Sequence, residues 1–401
     1  MGRLSEDHLG AVGLGSMIFN FLYWNFGFLR MGSTGMTAQA YGRDDRTEMG
    51  NVLGQATTVA LSIAFLLVLL QWPIGLGAQE LLGVSDDQQP LVSTYFEIRI
   101  WAAPAALGLY ALMGWFFGMQ NAIFPLILTL VINGANMGVS YYLVKVLNWE
   151  IHGVAWGTVF AQYLGLIVGI GLLLWRYPWV KDTVQARLIF QWEKLQRFLS
   201  INADIFIRTL CLTLAFAFFY RQSAEESDLI LAANVILLQY LNWMSYGVDG
   251  FAFAAESLVG KYHGARNISA TRQAVRLSFL WGMGLALVYA LAYGLAGEPL
   301  LYIFTDQEDV VQTALPFLIW MTVFPLLSTP CYIWDGVYIG LTAARAMRHT
   351  MLIAFAGYLL CYYLIGQRWG NHGIWLSLLL FMVLRGLVQW AWYVRYRLIQ
   401  Q

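Results

Sequence analysis

Ionisable side chains inside long apolar stretches cost at least about 2.5 to 3.5 kcal/mol each on insertion scales, so they face a cavity or a partner. In this chain the candidates are Asp204, Arg208, Asp249, Asp335 and Arg30. Asp204 and Arg208 are four apart, where an aspartate preceding an arginine on one helix face can pair directly. Two roles fit that spacing. The pair can simply fix helix packing, or Asp204 can take up and release a proton while Arg208 replaces the departing charge. Asp335, in IWDG just after Pro325 and Pro330, has no charged partner within a turn of its own helix, which favours a place in a cleft. Asp249 and Arg30 fall within about one residue of each other under the internal repeat described below, so opposite charges are expected at pseudo-equivalent sites, facing one another across the two halves.

Other polar residues carry less chemistry. Glu256 beside Lys261, and Glu97 with Arg99, lie near span ends, where solvation or snorkelling accounts for them. His152 and His372 occupy matching HG positions, as a repeated turn would place them. Cys211, Cys331 and Cys361 sit inside apolar stretches without a CxxC or Cys/His spacing, and read as core residues rather than metal or redox sites. The aromatic residues, 16% of the chain, are expected mostly at lipid-facing and interfacial positions.

Helices must carry these side chains. Of 401 residues, 11% are charged and 59% apolar, against about 25% and 45–50% in soluble domains, so the natural solvent of the chain is lipid. Apolar runs between polar breaks give eleven candidate spans, at about 9–42, 50–77, 92–119, 122–147, 152–176, 195–220, 229–260, 272–297, 310–341, 345–367 and 372–396. Little remains for a soluble domain. Zero net charge without long basic runs argues against nucleic acid and leaves the bilayer as the obvious partner. The polar segment MGRLSEDHLG has no apolar region of the kind a cleavable signal needs.

Cationic loops resist translocation and mark the cytoplasmic side. One set of connections holds Arg43, Arg46, Arg176, Lys181, Arg187, Lys194, Arg197, Lys261, Arg266, Arg272, Arg276, Arg345, Arg348, Arg395 and Arg397. The alternate set holds only Arg3, Lys145, Arg221 and Arg368, together with the acidic segments VSDDQQ, RQSAEESD and FTDQEDV. The expected topology has Met1 on the outer side and the C-terminus in the cytoplasm, in a plasma (inner) membrane.

A displacement of about 220 residues brings similar patterns into register. FLYWNFGFLRMGSTGMTAQAYG (21–42) falls beside YLNWMSYGVDGFAFAAESLVG (240–260), VSDDQQPLVSTYFEIRIWAAP (84–104) beside FTDQEDVVQTALPFLIWMTVFP (304–325), GWFFGMQNA (114–122) beside GVYIGLTAA (336–344), and NWEIHGVAWG (148–157) beside RWGNHGIWLS (368–377). Met113 stands where the second half has Asp335. Two helical bundles are expected, 1–180 with five spans and 181–401 with six, because the helix at 195–220 has no counterpart downstream of Met1. That gap reads as a missing first helix, from a misassigned start or a truncation, or as a natural five-plus-six protein.

LRMGSTGMTAQAYG, NADIFIRT, DGFAFAAESLVGKYHGARN and YIWDGVYIGLTAARAMRHTM resemble the corresponding helices of the MATE (multidrug and toxic compound extrusion) family, in its DinF-like branch, over essentially the whole chain. The resemblance implies an all-α twin bundle around a central cleft, with cytosolic, often cationic amphiphiles exchanged for incoming protons or sodium ions. It brings Asn202 of NADIFIRT and Asn136 of NGANMGVS among the cleft candidates. Some members carry an acid four residues after that asparagine, whereas this chain has Ser140, and the family's acidic first-helix residue has no counterpart here. Both departures favour protons over sodium. No cofactor, no enzymatic activity and a monomeric state are expected, since HExxH, GxSxG and DDxxD-like patterns are absent. The rival readings are a lipid-linked oligosaccharide flippase of the same superfamily, which would carry more cations in its cleft, a membrane-embedded enzyme, and a non-transporting receptor or scaffold.

Overall fold

The computed structural model describes residues 6–184 and 189–400; Arg3, Arg187 and the placement of Met1 lie outside them. The described residues form helices joined by short turns. In chain order they are α1 (Glu6–Asn25), α2 (Phe28–Gly42), α3 (Arg46–Leu69), α4 (Gln71–Leu82), α5 (Gln89–Arg99), α6 (Ala103–Gly118), α7 (Ile123–Lys145), α8 (Glu150–Arg176), α9 (Val180–Thr183), α10 (Trp192–Glu226), α11 (Asp228–Gly264), α12 (Ile268–Leu301), α13 (Glu308–Ala314), α14 (Leu318–Gly340), α15 (Ala344–Leu364) and α16 (Gly370–Tyr396). They divide into two compact units, Met1–Leu199 and Ser200–Gln401. The all-α membrane fold expected from composition is therefore present, with ten helical stretches among the described residues long and apolar enough to cross a membrane. The remaining expected span is α15, 21 residues long, or about 30 Å at 1.5 Å per residue.

Four expected spans are subdivided, those at 92–119 and 310–341 by a single 3-10 turn at Ile100–Ala102 and at Leu315–Phe317. The run at 9–42 breaks at Phe26–Gly27 between α1 and α2, and the run at 50–77 ends at Leu69, where the chain turns into the short α4 with Pro73 in its first turn. Hydropathy records solvent preference and is blind to such changes of direction. Proline in the first helical turn interrupts no hydrogen bond of α4, because the N–H groups there lack intrahelical acceptors anyway.

The repeat reappears as local geometry. Left-handed residues close equivalent turns at Asp44 and Arg266, at Gln120 and Thr342, and at Asn148 and Gly370, each pair 222 positions apart. The helices that follow the first pair are capped alike: Asp45 Oδ1 accepts from the Glu48 N–H at 2.9 Å, and Asn267 Oδ1 from the Ala270 N–H at 3.0 Å. Close helix crossings obey the same displacement. Gly114 and Gly118 of α6 lie against the backbone of Arg30 and Thr34 on α2, while Gly336 and Gly340 of α14 lie against that of Ala252 and Glu256 on α11. A side chain at any of these glycines would strike backbone, so GxxxG spacing sets how near each pair approaches. This register corrects one expectation: the counterpart of Arg30 is Ala252, and that of Asp249 is Gly27, in the α1–α2 break.

Candidate functional site: buried charges of the second unit

Three helices of the second unit meet at Asp335 of α14. Its carboxylate accepts from Arg208 of α10, from the Arg385 guanidinium of α16 at 2.7 Å, and from Gln389 Nε2, one turn further along α16, at 2.7 Å. Asp335 is 6% exposed, Arg208 6% and Arg385 1%. Arg385 also lies over the rings of Phe381 (5.5 Å) and Tyr332 (6.0 Å), contacts that favour a desolvated cation. Two guanidiniums thus face one carboxylate. Among the described residues their Nε atoms are buried without hydrogen-bond partners. Asp249 lies on α11, which packs against α14.

A second pair lies one turn back along α10, about 6 Å in helical rise. Asp204, 5% exposed, accepts from the Arg348 guanidinium of α15 at 2.5 Å. The Arg348 side chain is 27% exposed and also meets His349 Nε2 at 2.9 Å, so this pair reaches toward the unit's surface where the Asp335 cluster does not. The expected Asp204–Arg208 pair is not formed. Although the two residues share a helix face, each meets an oppositely charged residue of another helix, where a buried charge gains its partner without bending both side chains along one helix surface.

The geometry permits two operations. A carboxylate held by three donors from two other helices ties α10, α14 and α16 together, and losing its charge would leave two buried guanidiniums facing each other. The Asp204–Arg348 pair joins only two helices, and its arginine is partly exposed, so it can open locally.

The MatE family model matches residues 1–142 and 205–365. The chain belongs to the MatE family. It is 35% identical over 385 residues to DNA damage-inducible protein F of Escherichia coli K12, covering 96% of this chain and 83% of that one. It is 22% identical over 409 residues to the probable multidrug resistance protein NorM of Chromobacterium violaceum, covering 96% and 86%. Its fold matches that of a multidrug resistance MATE transporter of the MOP superfamily solved in an outward-facing conformation, with a TM-score of 0.88 at 15% identity, over 100% of this chain and 90% of that one.

Within this MatE chain the other expected site residues are placed as follows. Asn136 of α7 donates to Thr158 Oγ1 of α8 at 2.9 Å, and Ser140 packs against Gly157 of α8, so both sit in the α7–α8 contact. Asn202 is buried on α10, near Asp204 in sequence. Arg30 lies over the Phe117 ring at 5.9 Å. Glu256, expected to be solvated, is 2% exposed, because α14 crosses α11 at that turn through Gly340. Trp320 donates its indole N–H to His372 at 3.1 Å, a use of that histidine beyond a repeated turn.

Sequence reasoning missed Arg348, Arg385 and Gln389. For Arg385 and Gln389 a signal existed: an arginine deep in the last apolar run, followed four residues later by an amide on the same helix face. Arg348 was assigned to a loop by charge distribution, and the four-residue start of α15 before it gave no hint of a partner 144 positions upstream.

Proposed function

We propose that this chain is a proton-coupled antiporter that exports small, often cationic amphiphilic compounds by alternating access, with its two halves, 1–180 and 181–401, as the moving bundles. Membership of the MatE family supports a transport role, and the names of its relatives support extrusion over flipping of a lipid-linked sugar. The observation that carries the coupling is the cross-helix pairing of a buried acid with a partly exposed arginine, Asp204 with Arg348. When α15 draws Arg348 away, Asp204 loses its counter-charge and takes a proton; when Arg348 returns, the proton leaves. Protonation therefore has different stability in the two arrangements, and that difference is what lets an inward proton gradient bias the conformational equilibrium. Bound cation and proton compete for the same carboxylates, among which Asp249 and Asp335 are the further candidates. The protein works as a monomer in the inner membrane, with the arginine-rich connections in the cytoplasm.

The test is Asp204→Asn, assayed for efflux of a fluorescent organic cation at matched expression over external pH 6 to 8. Efflux in the variant is expected to lose its dependence on the proton gradient. Undiminished proton-linked efflux would remove Asp204 from the mechanism.

A further inference from the structure

A cleft of about 430 Å³ opens between α4 and α5 in the first unit, away from the buried charges just described. The residues lining it recur at helical spacing on both sides. On α4 they are Gln71, Trp72, Gly75 and Gln79; facing them are Phe96 and Glu97 at the end of α5 and Trp101 one turn on. The walls are held in place. Gln79 donates to Ser93 Oγ at 3.1 Å across the two helices, Phe96 is stacked on Phe19 at 5.2 Å, and Gly75 has only hydrogen where a side chain would press on the Phe96 ring.

We infer that this cleft binds an organic ammonium group, with Glu97 supplying the counter-charge and Trp72 and Trp101 supplying π faces. Among the described residues Glu97 has no hydrogen bond or ion pair, so its carboxylate is available to a ligand. Trp72 is 74% exposed and Trp101 50%. An aromatic belt at the membrane boundary explains exposed tryptophans by themselves, but not why two of them line a cleft that an unpaired carboxylate also lines. Cations held over indole faces beside an acid are the usual recognition of quaternary ammonium, and the volume falls within the range of small-molecule sites. The repeat does not demand the arrangement. In the second half the matching segment, LPFLIW, has no acid, and its Trp320 donates to His372.

Two sources carry such a group: a free organic cation, or the choline headgroup of a lipid. Full-length protein labelled with 5-fluorotryptophan, with resonances assigned through Trp72→Phe and Trp101→Phe, is titrated with tetrapropylammonium chloride and read by fluorine NMR. Saturable shifts confined to Trp72 and Trp101, with affinity weakened about three- to five-fold in Glu97→Gln, support the site; loss of one exposed ion pair is worth that much. The titration is repeated in nanodiscs. Equal binding in phosphatidylcholine and phosphatidylglycerol assigns the site to free cations, whereas binding only in phosphatidylglycerol shows the choline headgroup already in place. Absence of a saturable shift in detergent and in both lipids, or identical affinity in Glu97→Gln, overturns the inference. Because Glu97 is exposed and paired with nothing, the variant retains the fold, which an unchanged fluorine spectrum of the other tryptophans verifies. Binding is read at equilibrium with no gradient, so failure here is distinct from failure of proton coupling.

Discussion

Replacing Asp335 by asparagine preserves side-chain volume and one acceptor oxygen but removes the carboxylate that pairs with Arg208 and Arg385. Both guanidiniums are almost fully buried. Removing one member of a buried pair costs about 3 to 5 kcal/mol, mostly through the charge left behind. For a unit of about 200 residues, 1 kcal/mol corresponds to roughly 2 to 4 °C, so the midpoint should fall by roughly 6 to 20 °C. The companion variant Arg385→Gln leaves Asp335 with Arg208 and Gln389 and should lose less, about 1.5 to 3 kcal/mol for one charged hydrogen bond. In the double variant Asp335→Asn/Arg385→Gln only one guanidinium remains uncompensated, so it should recover part of the loss, a non-additivity of about 0.5 to 3 kcal/mol. With Cys211 and Cys361 replaced by serine, Cys331, buried and one turn before Asp335, becomes reactive to a fluorogenic maleimide when the unit opens. Thermal ramps of detergent-solubilised protein give the midpoints. An Asp335→Asn midpoint within 2 °C of the parent, or a double variant no better than the single one, would refute the account of this cluster.

Other consequences follow from the same geometry. Gly114→Leu and Gly336→Leu each drive a side chain into the backbone of the neighbouring helix, and each should lower the thermal midpoint by the equivalent of about 1 to 3 kcal/mol or more; Gly134→Leu, where nothing lies within 4 Å, should leave it unchanged. Asn234 accepts from Trp375 at 2.9 Å and exchanges amide hydrogen bonds with Asn371 at 2.7 and 3.0 Å, all buried. Asn234→Leu strands those partners and should cost about 2 to 4 kcal/mol, visible as a lowered midpoint and as faster hydrogen exchange in α16. Asp204→Asn, whose arginine partner is 27% exposed, should be less destabilising than Asp335→Asn in the same melting assay, and equal losses would contradict the difference in exposure.

Most of the fold was legible because lipid imposes a one-dimensional rule: twenty apolar residues make a span wherever they occur. The repeat was legible for a related reason, since turns at Asp44 and Arg266 and crossings at Gly114 and Gly336 depend on short motifs that both halves keep. The break at Phe26–Gly27 was hidden because glycine is common in membrane helices and the apolar run does not pause there. Partner choice was the least legible. Asp204 and Arg208 satisfy the spacing for a local pair, yet Arg348 and Asp335 are what tertiary packing brings to them. Asp335 has no charged partner within a turn of its own helix, and its partners come from α10 and α16, 127 and 50 positions away.

The central claim is that inward proton movement drives outward movement of an organic cation. Purified protein in liposomes, given an imposed pH gradient and a fluorescent cation on the other side, allows both fluxes to be followed together with a pH dye and a cation-sensitive signal. The account predicts that the cation moves against its own concentration gradient only while protons run down theirs, that collapsing the pH gradient stops it, and that Asp204→Asn uncouples the two. Cation movement that merely equilibrates, with no proton flux and no response to the gradient, would contradict it.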